Sequence, residues 1–166
     1  MAKKKHKTPI APSQLPTSLA CIIPSFLYLA PVSSTSAKST AALKSLGITH
    51  ILSVGKSPAS QAEDVTYLRL SLLDSEEADA VPVIERACEF IDAAEKEQGK
   101  VLVHCSAAIS RSPAVLIGYL MKKEGIRIQD ALRAVREARG AVAPNKGFLR
   151  QLEMMEEELA ENKTKD

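Results

Sequence analysis

Hydrophobic positions along the chain follow two spacings that alternate from about residue 36 onward. Short apolar runs rich in β-branched residues predict strands at 48–55, 66–73 and 100–105. Apolar residues at helical spacing, bounded by glycine or proline, predict helices at 36–47, 79–99, 112–125, 128–140 and 145–161. Strands that alternate with helices predict an α/β domain, with a central, mostly parallel sheet flanked by helices.

The predicted strand over 100–105 ends in a His-Cys pair, His104 and Cys105. The preceding helix is long enough to be a crossover connection, so we expect this strand to be central and buried. Cys105 then lies at the carboxyl end of the strand, where open α/β sheets bind their ligands. After a short loop, Ser112 and Pro113 are typical of a helix start, with the serine as N-cap and the proline at the first helical position.

The loop between Cys105 and this helix has the features of an anion site. Successive backbone N–H groups and a helix N-terminus together bind anions, and Arg111 can donate two parallel hydrogen bonds to a phosphate. The same positive environment favours the thiolate form of a cysteine, which is the nucleophile. A thiolate beside an anion site predicts phosphoryl transfer that needs no metal or other cofactor. The alternative is that Cys105 is a small buried hydrophobic residue.

Length and composition limit the other classes of protein to which the chain can belong. The chain has 166 residues, which suffices for one domain with a core, and a formal charge of +2, which is low for a nucleic-acid binder. No apolar run reaches the roughly 18 residues of a membrane span, so we expect neither a nucleic-acid nor a membrane partner. The 3 cysteines lack CxxC spacing, which predicts a reducing compartment, cytoplasmic or nuclear.

Several segments of the chain resemble one known family. The run VHCSAAISRS resembles the Cys-x5-Arg-Ser/Thr signature of the cysteine-dependent protein phosphatases, and the rest is similar to their dual-specificity branch. The segments that carry this second similarity are IIPSFLYLAPVSS, TYLRLSLLDSE and PNKGFLRQLEMMEEEL. The resemblance implies a phosphotyrosine-phosphatase-like fold and a catalytic domain over 21–160. Residues 1–20 are then a flexible basic and proline-rich arm, and 161–166 a tail.

The resemblance also implies a role for each residue of the motif. Cys105 is the nucleophile that takes the phosphoryl group, and Arg111 holds its oxygens. Ser112 assists breakdown of the intermediate, and His104 tunes the thiolate. Asp74 protonates the leaving oxygen and then acts as base on water. The substrate phosphate is bound by the loop residues Ser106, Ala107, Ala108, Ile109 and Ser110 together with Arg111.

Residues outside the motif leave alternatives open. Asp74 follows the predicted strand over 66–73, whereas Asp64 precedes that strand and Asp79 is expected to cap the next helix. Asn145 is a helix N-cap, a residue that holds the phosphate loop in shape, or both. For Arg139 we expect a structural salt bridge.

The chain departs from the family at Ala108, where the family has glycine. Glycine in such a loop serves either a positive φ or a close approach to the anion. Alanine at positive φ costs on the order of 1 kcal/mol, which predicts a working or weakened enzyme. The alternative is a pseudophosphatase that binds phosphoproteins, and a further one is a redox sensor that pairs Cys105 with Cys88. We expect a monomer and a phosphoprotein substrate that carries phosphotyrosine, with or without phosphoserine or phosphothreonine.

Overall fold

The computed structural model describes residues 18–165, and most of the predicted arm, residues 1–17, lies outside the described residues. The described chain forms a sheet of five strands in the order β1-β2-β5-β3-β4. Only the β1–β2 pair is antiparallel, so the sheet is mostly parallel as predicted. The strands are β1 (Ala20–Ile23), β2 (Leu27–Pro31), β3 (His50–Val54), β4 (Thr66–Leu70) and β5 (Val101–Cys105).

Helices cover both faces of the sheet. They are α1 (Thr40–Leu46), α2 (Val81–Lys96), α3 (Arg111–Glu124), α4 (Ile128–Ala138) and α5 (Lys146–Lys165). Two 3₁₀ turns occupy 32–35 and 37–39, so α1 begins later than the sequence pattern predicts. In the part of the chain that the structure describes, no helix is long and apolar enough to cross a membrane.

The C-terminal helix is longer than predicted. Residues 161–165, expected to be a tail, continue α5 as far as Lys165. No glycine or proline interrupts this stretch, and lysines in the last turn interact favourably with the negative end of the helix dipole. Lys163 also donates a hydrogen bond to the carbonyl oxygen of Gly125 at 3.1 Å, which ties the helix end to the turn after α3.

The strand that ends in Cys105 is central and buried, as predicted. β5 pairs in parallel with β2 on one side and β3 on the other, and all five of its residues are buried. Its side chains alternate between the faces: Val101 and Val103 join the main core with α2–α5, while Leu102 joins a smaller core with α1. With both faces covered, Cys105 reaches the surface only at the carboxyl end of the sheet.

Candidate active site

Cys105 is the last residue of β5, and its exposed fraction is 2%. The loop over 106–110 follows, and α3 begins at Arg111, so Ser110 and not Ser112 is the N-cap residue. The predicted N-cap was therefore wrong by two residues. The physical reason is that each serine hydroxyl has a tertiary partner: Ser112 Oγ donates to Cys105 Sγ at 3.0 Å, and Ser110 Oγ bonds outside the helix.

The loop over 106–110 has its carbonyl groups bound on the outside. Ser106 O accepts from the backbone N–H of Val32 at 3.2 Å, and Ile109 O accepts from that of Ala143 at 2.8 Å. The two carbonyls between them accept from the Arg139 guanidinium. In a trans peptide the N–H points away from the C=O, so the N–H groups of residues 107–110 point to the inside of the loop. This arrangement is an anion cradle next to Cys105.

Ala108 has the left-handed backbone conformation that the missing glycine would adopt easily. Its φ is +56°, which costs an alanine about 1–2 kcal/mol. Its exposed fraction is 0%, and it belongs to the main hydrophobic core. The methyl group is therefore packed beneath the cradle and not in it, and burying it offsets about 0.8 kcal/mol of the strain.

Arg111 is held at the mouth of the cradle by its neighbours. Its Nη2 donates to Ser106 Oγ at 3.0 Å. Gly55, in the turn after β3, packs directly against the Arg111 guanidinium. A Cβ at this position would overlap Arg111 Nη1 and lie 2.8 Å from Leu72 O. Arg69 holds this turn by donating to Gly55 O at 2.8 Å. Sequence reasoning missed Gly55, although a glycine directly after a strand was the available signal.

His104 is fully buried and contacts the main chain of Cys105. Its Nδ1 lies 3.3 Å from Cys105 O, and its Nε2 lies 2.7 Å from Ser53 Oγ. Burial lowers the pKa of His104, so the ring is neutral at pH 7. A carbonyl oxygen can only accept, so Nδ1 carries the proton and Nε2 accepts from the Ser53 hydroxyl. His104 thus contacts the main chain of Cys105, and its influence on the thiolate stays a prediction.

Asp74 is joined to the cradle by a small hydrogen-bond network. Ser110 Oγ donates to Asp74 Oδ1 at 2.8 Å, and Asn145 Nδ2 donates to the same oxygen at 3.0 Å. The backbone N–H of Asn145 donates to Ser110 Oγ at 2.9 Å. Asn145 Oδ1 accepts from the N–H of Phe148 at 2.9 Å, which is an N-cap contact. The N-cap contact is thus present, and the backbone N–H, not the carboxamide, reaches the loop at Ser110, so the role of Asn145 in holding the loop stays a prediction.

The loop that carries Asp74 is attached to α5. The amide of Gln151 accepts from Ala80 N at 2.7 Å and donates to Ala78 O at 2.8 Å. Gly147 lies against the backbone of Glu76, where any Cβ would overlap it. The sequence shows a glycine on the first turn of α5 and a glutamine one turn later. It does not show which distant segment they contact.

The competing aspartates occupy other places. Asp64 forms an ion pair at 3.7 Å with Lys44, which is a residue of α1. Asp79 Oδ1 accepts from the N–H of Val81 at 3.2 Å, so it binds the first turn of α2 as expected, although Ala80 occupies the N-cap position. The structure thus brings Asp74, and neither alternative, into contact with the cradle.

Arg139 does not form the salt bridge that we expected. Within residues 18–165 its hydrogen bonds are to loop carbonyls: Nε donates to Ala108 O at 3.2 Å, and Nη2 donates to Ala107 O at 3.1 Å. No local pattern in the chain indicates this contact, because the two segments are 31 and 32 residues apart.

Comparison with known proteins identifies the family. Residues 27–158 match the family described as dual specificity phosphatase, catalytic domain. The chain belongs to the dual-specificity phosphatase family. It is 38% identical over 135 residues to dual specificity protein phosphatase 1 of Arabidopsis thaliana, covering 80% of this chain and 67% of that one. Over 106 residues it is 40% identical to dual specificity protein phosphatase 15 of Mus musculus.

Solved structures agree with this assignment. A mouse putative dual specificity phosphatase, crystallised with zinc tungstate, superposes with a TM-score of 0.81 at 30% identity, covering 96% of each chain. The human tyrosine phosphatase-like serine/threonine/tyrosine-interacting protein has a TM-score of 0.78 at 34% identity, covering 83% of this chain and 95% of that one. Against full-length relatives the coverage is smaller, since 64% of this chain matches only 45% of the mouse phosphatase 15.

Proposed function

We propose that this phosphatase domain hydrolyses phosphotyrosine, and also phosphoserine or phosphothreonine, in phosphoproteins through a cysteinyl-phosphate intermediate. The observation that carries the proposal is the Ser112–Cys105 hydrogen bond at the carboxyl end of β5, with Arg111 and Asp74 both hydrogen-bonded to the loop that follows. A nucleophile, an anion cradle and a proton donor are then present in one place.

In the first step the Cys105 thiolate attacks phosphorus, an S–P bond forms and the bond to the leaving oxygen breaks. Arg111 and the inward N–H groups of residues 107–110 stabilise the charge on the equatorial oxygens. Asp74 gives its proton to the leaving oxygen. Both hydrogen bonds from Ser110 and Asn145 go to Oδ1, so we assign the transferred proton to Oδ2.

In the second step water attacks the phosphorus of the intermediate. Asp74, now a carboxylate, takes a proton from the water, and the S–P bond breaks to release phosphate and the thiolate. The Ser112 hydroxyl donates to Cys105 Sγ at 3.0 Å, so it stabilises the sulfur as it leaves. The mouse relative's structure is a complex with zinc tungstate, and tungstate is a tetrahedral oxyanion like phosphate, which supports oxyanion binding by this domain.

The two alternatives have less support. A pseudophosphatase would require Ala108 to distort the cradle, yet its methyl group is buried in the core below the loop. A redox sensor would require Cys88 to react as a thiolate. Burial raises the pKa of Cys88 to about 11, so this thiol stays protonated and unreactive at pH 7. The described cysteines Cys21, Cys88 and Cys105 are all free, which supports a reducing compartment, cytoplasmic or nuclear.

Hydrolysis of para-nitrophenyl phosphate in EDTA and reductant tests the proposal. The wild type should turn over, Cys105→Ser should lose activity, and Cys88→Ser, a matched cysteine change, should keep it. Equal turnover by Cys105→Ser would overturn the proposal. Vanadate binding without turnover by the wild type would show a phosphate-binding protein in place of an enzyme. A Cys105–Cys88 disulfide after mild peroxide would favour the redox sensor.

A further inference from the structure

Arg139 holds the phosphate loop from outside. It follows the last residue of α4 and is half-buried. Its guanidinium donates to two successive carbonyls, those of Ala107 at 3.1 Å and Ala108 at 3.2 Å. The other three carbonyls of the loop, those of Ser106, Ile109 and Ser110, are bound by the backbone N–H groups of Val32, Ala143 and Ala114. Arg139 is thus the side chain that fixes the middle of the loop.

The middle of the loop is also its strained part. Ala108 has a φ of +56°, a conformation that glycine adopts freely and alanine does not. Residues in such conformations persist where the surrounding structure over-determines them. If Ala108 relaxed to a negative φ, the peptide units on either side would rotate, and the N–H groups of Ala108 and Ile109 would no longer both point into the cradle.

We propose that Arg139 is a positioning residue of the phosphate loop, and that its two hydrogen bonds hold Ala108 in the left-handed conformation. Arg139 acts through the backbone of Ala107 and Ala108. A chain with glycine at position 108 would need this support less. The arginine and the alanine therefore form a coupled pair. The part of the proposal that concerns oxyanion affinity rests on the proposed function; the part that concerns the backbone does not.

A double-mutant cycle measures this coupling. Wild type, Arg139→Ala, Ala108→Gly and the double variant are compared by the inhibition constant of vanadate and by kcat and KM for para-nitrophenyl phosphate. In the alanine background, Arg139→Ala should weaken vanadate binding by at least tenfold. In the glycine background the same change should weaken it about fivefold less, the factor that corresponds to about 1 kcal/mol.

The cycle separates conformation from charge. Removing a positive charge near the cradle weakens anion binding equally in both backgrounds, so the difference between the two losses reports the coupling alone. Arg133→Ala is the matched control: it removes the same charge from α4, where the arginine pairs with Asp130 at 2.8 Å, and should leave vanadate binding within about twofold. Should Arg139→Ala fail to fold, Arg139→Lys, which cannot donate two parallel hydrogen bonds, takes its place in the same cycle.

Equal losses in both backgrounds would overturn the coupling, and no loss in either would overturn the positioning role. A crystal structure of Arg139→Ala gives a readout that needs neither turnover nor vanadate. We expect φ at Ala108 to leave the left-handed region in this variant, while the double variant keeps that conformation at the same position. A φ that stays near +56° would overturn the proposal even if the protein is an active phosphatase. A wild type that neither turns over nor binds vanadate would contradict the proposed function and leave this structural test intact.

Discussion

Asn145 Nδ2 donates a hydrogen bond to Asp74 Oδ1 at 3.0 Å, and the two residues are 71 positions apart in the chain. The other end of the same carboxamide caps α5 by accepting from the N–H of Phe148 at 2.9 Å. One side chain therefore orients the proposed proton donor and fixes the start of the helix that supports it. The two roles use different atoms and can be separated by mutation.

Asn145→Asp separates these roles. Asparagine and aspartate are about equally good N-caps, so we expect the free energy of unfolding to change by less than about 1 kcal/mol. The donor to Asp74 is lost and a second carboxylate takes its place, so kcat/KM for phenyl phosphate should fall about tenfold or more. Urea unfolding and steady-state kinetics measure the two effects. An unfolding change without a kinetic change would mean that Asn145 is only a cap.

Asp74→Asn tests the proton donor directly. Asparagine can keep the contacts to Ser110 and Asn145, but it has no proton to give to the leaving oxygen. We expect turnover of a phosphotyrosine peptide or phenyl phosphate to fall by about 10²–10⁴, and that of para-nitrophenyl phosphate, whose leaving group needs no proton, to fall far less. Asp79→Asn, five positions further along the chain, is the control and should leave both rates unchanged. Equal losses on both substrates would show that Asp74 is not the acid.

Ser112→Ala tests the hydroxyl that donates to Cys105 Sγ. A hydrogen bond to a charged group contributes about 1.5–3 kcal/mol, so the breakdown of the cysteinyl-phosphate should slow by about ten- to a hundredfold. Rapid mixing with para-nitrophenyl phosphate should then show a burst of nitrophenol followed by a slow steady state. Ser112→Thr keeps the hydroxyl and should show a much smaller burst. A uniform fall in both phases would place Ser112 in the first step instead.

His104 makes stability depend on pH. Burial lowers the pKa of His104 from its ordinary 6.5, so below this pH the unfolded chain binds a proton that the folded chain refuses. Stability should therefore be constant above about pH 6.5 and fall below it, by up to about 1.4 kcal/mol per pH unit. The comparison is the difference in unfolding free energy between wild type and His104→Gln from pH 8 to pH 5. A difference that does not vary with pH would mean that His104 has the same pKa in the folded and the unfolded chain, which contradicts the prediction.

The parts of the site that lie close together in the chain could be predicted from the sequence. Cys105, the loop after it and Arg111 form one continuous segment, and the end of the predicted strand over 66–73 pointed to Asp74. The start of α3 was misplaced because the side chains of Ser110 and Ser112 bond to Asp74 and Cys105, which local capping rules do not include.

The supporting residues could not be predicted in the same way. Arg139, Gly55 and Gly147 act through close contacts with distant backbone segments. An arginine beside a helix end has many possible partners. A glycine beside a strand or in a helix turn can be required by many different contacts or backbone conformations. The choice among them is made by tertiary packing, which a periodic pattern does not encode.

The attachment to α5 of the loop that carries Asp74 has a consequence for the order in which the site is assembled. The thiol, its cradle and the aspartate all precede residue 145 in the chain, whereas the residues that fix the aspartate's loop, Asn145, Gly147 and Gln151, begin at that position. During synthesis the ribosome makes the nucleophile and the anion site before it makes the residues that orient the proton donor. Helix α5 is therefore made after both the nucleophile and the aspartate, and it positions one relative to the other.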